Sequence, residues 1–274
     1  MSVPSFFYGT AWKEERTQDL VDLALATGFR AIDTANQRRH YFEAAVGESV
    51  KSFLDAGTAL RSDLYLQSKF TDESGQDHRL PYDNRAPRGA QVVQSFASSL
   101  DHFGTSYLDS YLLHGPSTRH GLTDDDWLVW RAMEALKLEG KTRLIGVSNV
   151  SLEQLTLLFH GAKSKPAFVQ NRCYARTGWD REVRAFADAR GIVYQGFSLL
   201  TANARELKNP TIKSIAARHR RTSAQVVFRF ALEVGMIPLT GTSDQGHMKE
   251  DLDVFSFALS PEEVSAIESI AEQS

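Results

Sequence analysis

The amino-acid sequence predicts a single-domain α/β protein, a closed (β/α)8 barrel that takes in residues 1–274. Eight short apolar runs typical of strands are each followed by at least one helical pattern, which indicates parallel strands joined by crossover helices. No G-x-G-x-x-G follows any of these runs, although an open dinucleotide-binding sheet would carry one. The reactive side chains are spread over many strand ends, as on the upper rim of a barrel. An open doubly wound sheet is therefore the weaker alternative.

The individual elements follow from apolar periodicity and from the residues that end helices. Strands are predicted at residues 6–8, 31–32, 64–66, 107–113, 144–147, 168–169, 192–197 and 236–239. Helices are predicted at residues 15–28, 41–54, 88–103, 124–138, 180–190, 209–219, 222–234 and 247–255, with two more starting at Ser151 and Ser260. The polar stretch 71–87 is long enough to be a functional loop rather than a simple connector.

Composition places the chain among ordinary globular proteins. Apolar residues make up 42% and charged residues 24%, close to the usual averages. The net charge of −3 gives no reason to expect a nucleic acid or an anionic membrane as partner. The single cysteine, Cys173, cannot form an internal disulfide and fits a reducing compartment. Because no signal-like N-terminus and no apolar run of about 18 residues occurs, we expect a cytoplasmic protein without a membrane partner.

Four side chains that can handle protons follow successive predicted strands: Asp33, Tyr41, Lys69 and His114. Each has an ordinary structural explanation, such as capping a turn or packing against a neighbour. Together they suit carbonyl reduction, in which a general acid protonates the oxygen as hydride reaches the carbon. A phenol with a pKa of about 10 is a poor acid at neutral pH, so we expect Lys69 to lower the pKa of Tyr41. Asp33 would hold Lys69, and His114 would donate a hydrogen bond to the substrate oxygen.

The stretches AIDTA, HYFEAAVG, LYLQSKF and DSYLLHGP carry these four residues and resemble the aldo-keto reductase superfamily. The resemblance continues in family order through Gly9-Thr10, GVSN at 146–149, VQN at 169–171, GFSL at 196–199 and the segment 237–242. It covers nearly the whole chain. It implies an eightfold barrel without a Rossmann domain, in which Asp33, Tyr41, Lys69 and His114 form the catalytic tetrad.

The same resemblance implies a nicotinamide cofactor, NADP(H), with NAD(H) as a further possibility. Ser148, Asn149 and Gln170 would hold the carboxamide. Phe197, where the family most often has tyrosine, would stack on the nicotinamide ring and lose only a hydroxyl. The segment 239–251 would hold the adenosine phosphate end. The implied cofactor-binding residues are Gly9, Thr10, Ser148, Asn149, Gln170, Phe197, Ser198, Leu199, Thr240, Gly241, Thr242, His247, Glu250 and Asp251.

The spacing between Asp33 and the tyrosine departs from the family pattern. The usual spacing is five residues, and that position holds Arg38, whereas Tyr41 comes eight residues after Asp33. Counting backward from Val46-Gly47 places the tyrosine position on His40. We assign the general acid to Tyr41 because it is the only phenol in the stretch and because loops absorb insertions readily. His40 remains the alternative general acid.

The predicted phosphate site also departs from the family. Members that select NADPH commonly have a lysine after Ile-Pro and an arginine further on. Leu239 and His247 occupy those positions, and Lys249 is the nearest cation that could substitute. A 2′-phosphate is normally bound by such cations. A preference for NADPH is therefore implied only by the common behaviour of the family, and NADH is the alternative cofactor.

The end of the chain predicts an open pocket. The sequence stops soon after the predicted terminal helix at Glu272, without the long C-terminal loop that narrows the pocket in many members of the family. We therefore expect loose substrate choice, with the 71–87 loop as the main remaining wall. Trp12, Phe70 and Trp179 are candidate lining residues, and each has ordinary packing as its alternative.

The sequence thus predicts an NAD(P)H-dependent oxidoreductase that reversibly reduces aldehydes or ketones and works as a monomer or weak homo-oligomer. One alternative is a cofactor-binding regulatory barrel, similar to channel-associated relatives of the family, with little turnover. Another is a lyase or isomerase that uses Lys69 as a Schiff base. No pair of histidines at ligand spacing occurs on one element, so we expect no metal site.

Overall fold

The computed structural model describes residues 3–270 and shows a closed barrel of eight parallel strands in chain order. The barrel closes where the first strand pairs with the last, with Phe7 opposite Leu239. This confirms the predicted fold class. The strands are β1 (Phe7–Gly9), β2 (Ala31–Asp33), β3 (Tyr65–Phe70), β4 (Leu108–Leu113), β5 (Thr142–Ser148), β6 (Phe168–Arg172), β7 (Val193–Phe197) and β8 (Met236–Thr240).

Helices surround the barrel, one after each of the first six strands and two after each of the last two. Within residues 3–270, no helix is long and apolar enough to cross a membrane. The helices are α1 (Thr17–Thr27), α2 (Glu43–Asp55), α3 (Arg88–Phe103), α4 (Asp124–Leu138), α5 (Leu152–Gly161), α6 (Arg181–Asp188), α7 (Pro210–His219), α8 (Ser223–Glu233), α9 (Gln245–Leu252) and α10 (Pro261–Glu268).

Helix ends follow the local chemistry of the chain. The Ser151 hydroxyl accepts a hydrogen bond from the Gln154 N–H at the start of α5, and Ser260 does the same for Glu263 at the start of α10. These caps satisfy N–H groups that have no partner inside the helix. Gly28 ends α1 with a φ of 123°, a backbone conformation that favours glycine.

Several predicted boundaries are displaced. Helix α2 begins at Glu43 rather than Tyr41, because the preceding Phe42 has a non-helical backbone, with φ −125° and ψ 72°. Helix α9 begins two residues earlier than predicted and ends at Leu252, where a 3-10 turn over Asp253–Ser256 replaces its last part. Helix α10 ends at Glu268, and the predicted end at Glu272 lies outside the described residues.

The strands alternate their side chains between the helices and the barrel interior, as the twofold period of a strand requires. A small inner group of six buried side chains fills the barrel, whereas the larger apolar core lies between barrel and helices. Above this inner group the interior becomes polar, and the functional side chains begin there. The inner group consists of Phe7, Ala31, Tyr65, Leu112, Phe168 and Leu239.

Candidate active site

A buried ion pair lies at the centre of the barrel mouth. Lys69 on β3 places its Nζ 2.7 and 2.8 Å from the two carboxylate oxygens of Asp33, the last residue of β2. The Thr34 carbonyl accepts from the same Nζ at 2.8 Å. An ammonium has three hydrogens, so Lys69 uses all of them. The predicted pairing of Asp33 with Lys69 is therefore present, and it is held rigidly.

A layer of glutamines supports this pair from inside the barrel. Gln67 and Gln170 each donate an Nε2 hydrogen to Asp33 Oδ1, at 2.7 and 3.0 Å. Both also donate to Gln195 Oε1 at 2.9 and 3.0 Å. Gln67 and Gln195 were missed at the sequence level. Each lies two residues before a recognised site residue, so strand alternation was the signal that could have found them.

Tyr41 reaches the ion pair from the turn between β2 and α2. Its backbone N–H donates to the Gln37 carbonyl at 3.0 Å, and Gln37 Nε2 donates to the Gly75 carbonyl at 2.7 Å. The turn is thus fixed against the loop after β3. It directs the Tyr41 ring toward Lys69, whose Nζ lies 5.3 Å from the ring centroid, and toward His114, at 5.8 Å between centroids. The three extra residues are absorbed by this turn.

His40 precedes Tyr41 in the chain, but its ring faces a different neighbour. Its ring stacks on Trp12 with centroids 4.0 Å apart, and its Nδ1 lies 3.2 Å from Gln37 Nε2. Burial, and then the charge of Arg39, lower the pKa of His40. The structure therefore brings Tyr41, and not His40, next to the Asp33–Lys69 pair.

The protonation of Tyr41 differs from the prediction. Burial raises the pKa of its phenol, the Asp33 carboxylate adds to that rise, and Arg172 opposes it. The net shift of this pKa is therefore upward, opposite in direction to the lowering that was expected. Tyr41 is therefore a protonated phenol at neutral pH, in the form that can donate a proton.

His114 is held as a neutral imidazole. Burial, and then the Lys69 charge, lower its pKa to about 3. Its Nδ1 lies 2.7 Å from Thr71 Oγ1, and the Asn149 amide donates to its carbonyl at 2.8 Å. If the Thr71 hydroxyl donates to Nδ1, the proton of the neutral ring must sit on Nε2. That tautomer leaves an N–H free to point at a ligand.

Asp33, His40, Tyr41 and His114 border one cavity of about 860 Å³, within the usual range for a site that binds a small molecule or cofactor. Lys69, which binds Asp33, does not line this cavity. Four of the residues that line the cavity have positive φ angles, which cost energy and are often found at functional sites. They are Trp12, Glu14, Asn149 and Ser198, with φ angles of 62°, 49°, 53° and 57°. Ten of the predicted cofactor residues line the cavity: Gly9, Ser148, Asn149, Gln170, Phe197, Ser198, Leu199, Thr240, Gly241 and Thr242.

Four predicted cofactor residues do not line this cavity. Thr10 is buried, and its hydroxyl donates to the Asp33 carbonyl at 3.1 Å. Asp251 is also buried and accepts from Thr240 Oγ1 at 2.7 Å. His247 is exposed on α9, and Glu250 is partly buried. The cavity instead extends toward Lys13 and Arg16 after β1.

The nicotinamide side of the cavity fits the predicted ring. Phe197 lines the cavity and is only partly buried, so its ring offers a stacking surface. The Ser148 hydroxyl donates to the Gln170 carbonyl at 2.7 Å and accepts from Asn149 Nδ2 at 3.1 Å. These contacts fix the Ser148 and Asn149 side chains, which line the same cavity as Phe197. Among residues 3–270, no cluster of His, Cys, Asp or Glu is suited to a metal ion.

The predicted adenosine side has a different charge pattern from the one expected. Lys13 Nζ donates to the Gly241 carbonyl at 2.7 Å, and burial followed by the Arg16 charge lowers its pKa to about 8. Burial raises the pKa of Asp251 to about 6. The cations at this end therefore come from the loop after β1, which sequence reasoning missed. Their position directly after Gly9-Thr10 was the available signal.

The cavity walls also differ from the prediction. Trp12 lines the mouth and is 68% exposed. Phe70 and Trp179 are fully buried in the apolar core instead, and the Trp179 indole donates to the Ile267 carbonyl at 3.1 Å. No residue of the 71–87 loop lines the cavity. That loop packs under the turn that carries Tyr41, so the expectation that it forms the main wall is wrong.

The comparison with known proteins agrees with this geometry. The model of the aldo/keto reductase family matches residues 6–272. The chain belongs to this family. Members of the family are oxidoreductases and generally use nicotinamide cofactors.

Individual relatives and solved structures extend over almost the same length. A glyoxal reductase of Bacillus subtilis strain 168 is 30% identical over 251 residues, which are 91% of this chain and 82% of that protein. Aldose reductase B of Dictyostelium discoideum is 29% identical, covering 92% and 83%. An aldo/keto reductase structure from Brucella melitensis is 29% identical with a TM-score of 0.82, covering 97% and 93%.

Proposed function

We propose that this protein reduces aldehydes or ketones to alcohols with a reduced nicotinamide cofactor, and catalyses the reverse oxidation. The observation that carries the proposal is the meeting of Asp33, Tyr41, Lys69 and His114 at one end of the cavity. The side chains expected to hold the nicotinamide line the same cavity. Relatives named glyoxal reductase and aldose reductase support a small carbonyl compound as the substrate.

In this reaction the bound cofactor supplies a hydride to the carbonyl carbon. Tyr41 donates its phenolic proton to the carbonyl oxygen, so that the C=O becomes an alcohol, and the phenolate then regains a proton from water. His114 donates a hydrogen bond from Nε2 to the same oxygen and orients it. The ammonium of Lys69, held by Asp33, stabilises the phenolate that forms. In the oxidative direction each proton moves the opposite way.

The two other functions considered from the sequence gain no support. The regulatory alternative was based on the unusual spacing between Asp33 and Tyr41, and the turn at 36–41 accommodates that spacing. A Schiff base on Lys69 would need an accessible, unprotonated amine. Lys69 is 1% exposed and donates all three hydrogens, so it is poorly placed for such chemistry.

For the cofactor we propose NADP(H), with NAD(H) as the alternative. Lys13 and Arg16 supply positive charge near Gly241, where a phosphate group would find charge-assisted donors. The measured preference between NADPH and NADH decides between the two. We further expect the protein to act in the cytoplasm as a monomer or weak homo-oligomer.

The test follows oxidation of NADPH and NADH by absorbance with a panel of aromatic and aliphatic aldehydes. We expect turnover with the wild type and a loss of about 100-fold or more in kcat for Tyr41→Phe, because the proton donor is removed. His40→Ala, the matched control, should lose far less. If Tyr41→Phe keeps its turnover while His40→Ala abolishes it, the assignment of the general acid is wrong. If neither NADPH nor NADH binds, the proposed reductase function is wrong.

A further inference from the structure

One cavity residue has no role in the reaction described so far. Arg172 is the last residue of β6 and lies two positions after Gln170, so strand alternation places both side chains on the same side. Arg172 lines the same cavity as Tyr41 and His114. Its strand neighbour in register is Phe197, the residue expected to stack on nicotinamide. Arg172 is therefore a cation at the reacting end of the cavity.

The guanidinium of Arg172 has only weak contacts. Its Cζ lies 5.6 Å from the centroid of the Phe197 ring, which is near the outer limit of a cation–π contact. No carboxylate of residues 3–270 forms an ion pair with it. The residue is exposed, and its charge is strong enough at Tyr41 to oppose the rise in the pKa of the phenol.

The acids that border the cavity do not neutralise Arg172. Asp33 already binds Lys69 through both oxygens. Glu14 lies in the loop after β1, beside Lys13 and at the end of the cavity where the cofactor phosphates are expected. The reacting end thus carries one unpaired positive charge. An arginine fork matches a carboxylate or similar anion with two parallel hydrogen bonds.

We propose that Arg172 selects carbonyl substrates that carry an anionic group, such as a carboxylate, at the end of the molecule away from the reacting oxygen. This inference rests on the proposed function and names the chemical class of its substrate. The carbonyl oxygen lies between Tyr41 and His114, and the anion binds the guanidinium on the β6 side of the mouth. Lys13 and Arg16 remain for the cofactor phosphates.

The test compares two aldehydes of the same size that differ in one charge, 4-formylbenzoate and 4-formylbenzamide. The 3-formyl isomers form a second pair with a shorter reach. The measured quantity is the ratio of kcat/KM for the acid to kcat/KM for the amide. Effects of Arg172 on Tyr41 apply to both substrates and cancel in this ratio. Because hydrogen bonds between charged groups are the strong ones, we expect a ratio of about ten or more in the wild type for at least one pair.

Variants of Arg172 and a matched control complete the experiment. Arg172→Gln should bring the ratio to about one, and Arg172→Glu should bring it below one, mainly through KM of the acid. Arg176→Gln is the control: Arg176 is also exposed and lies over an aromatic ring, that of Tyr174, but does not line the cavity. It should keep the wild-type ratio. The wild-type ratio should also fall as salt concentration rises.

A ratio near one for both pairs in the wild type would overturn the inference and leave the reductase function standing. So would a high ratio that survives Arg172→Gln, or an effect of this variant on KM of the cofactor with no change in the ratio. If the wild type reduces none of the four aldehydes and none of the wider panel, the proposed function and the inference are both wrong.

Discussion

The two ends of the cavity are built in different ways. At the reacting end, Asp33, Lys69, Gln67 and Gln170 are strand residues that hydrogen-bond one another at 3.0 Å or less. At the outer end, the lining consists largely of the loop after β1 and the segment after β8, and helix α9 presents exposed side chains such as His247. Lys13 donates to the Gly241 carbonyl and the Tyr8 hydroxyl donates to the Thr242 carbonyl, so hydrogen bonds from β1 and its loop hold the segment after β8.

This difference separates two requirements. The ion pair beside the proton donor must be held within a few tenths of an ångström, and side chains on rigid strands achieve that best. A phosphate group is recognised mainly by charge, which acts over a longer distance and tolerates mobile loops. We therefore expect substitutions at the reacting end to affect kcat and folding together. Substitutions at the outer end should change cofactor affinity or stability without abolishing turnover.

The largest effect is expected for Lys69→Met. This variant leaves the Asp33 carboxylate buried without its cation, which costs about 3–5 kcal/mol of unfolding free energy, and it removes the charge that stabilises the phenolate. Urea unfolding and turnover measure the two losses separately. The double variant Asp33→Asn with Lys69→Met should regain much of the stability and none of the activity. Full activity in the double variant would contradict the role given to the pair.

An intermediate effect is expected for Thr71→Val. The valine has the same shape but cannot donate to His114 Nδ1, so the imidazole loses the contact that keeps its proton on Nε2. We expect kcat to fall by about 10-fold to 100-fold, less than the roughly 100-fold or more lost with a proton-handling group itself, because the imidazole stays in place. Thr71→Ser, which restores the hydroxyl, should recover most of this loss. Equal activity in the valine and serine variants would show that the contact does not set the tautomer.

The smallest effect is expected at the outer end, for Asp251→Asn. The pKa of Asp251 is raised to about 6 in the folded protein, so the folded state keeps a proton that the unfolded chain has already lost. Stability from this group therefore falls as pH rises from about 4 to about 6 and stays lower above that.

The Asp251→Asn variant has no carboxyl at this position, so it does not lose stability in this way as pH rises. Thermal unfolding at about pH 8 should show a gain of at most about 3 kcal/mol, with little change near pH 4. Asp188→Asn is the control, because Asp188 is exposed on α6 and should not shift the midpoint. A gain that is equal at both pH values would show that the buried charge is not its cause.

The sequence predicted the barrel because its elements depend on local patterns. Apolar runs at a strand period and helix stops such as Gly28 act within a few residues, so eight strands and their order could be read directly. Asp33, Lys69 and His114 lie at or directly after strand ends, where local spacing also suffices. For these residues the family pattern and the strand pattern agree.

Positions that depend on distant contacts could not be predicted in the same way. The position of Tyr41 and His40 relative to Lys69 depends on a hydrogen bond from Gln37 to Gly75, which joins the turn to the next loop. The direction in which the pKa of Tyr41 shifts depends on its burial and on the nearby Asp33 carboxylate, and local sequence gives neither. Trp179 and Phe70 looked equally suited to a cavity wall, and only the packing of the core assigns them to the interior.

The fluorescence of the exposed Trp12, at the mouth of the cavity, can report on ligand binding. Of the four tryptophans, Trp130 and Trp179 are fully buried, Trp127 is partly buried, and Trp12 is 68% exposed and stacked on His40. A water-soluble quencher such as acrylamide should therefore reach the Trp12 emission first. A ligand that settles beside Trp12 should shield that fraction of the fluorescence, so occupancy of the cavity can be followed without any attached dye.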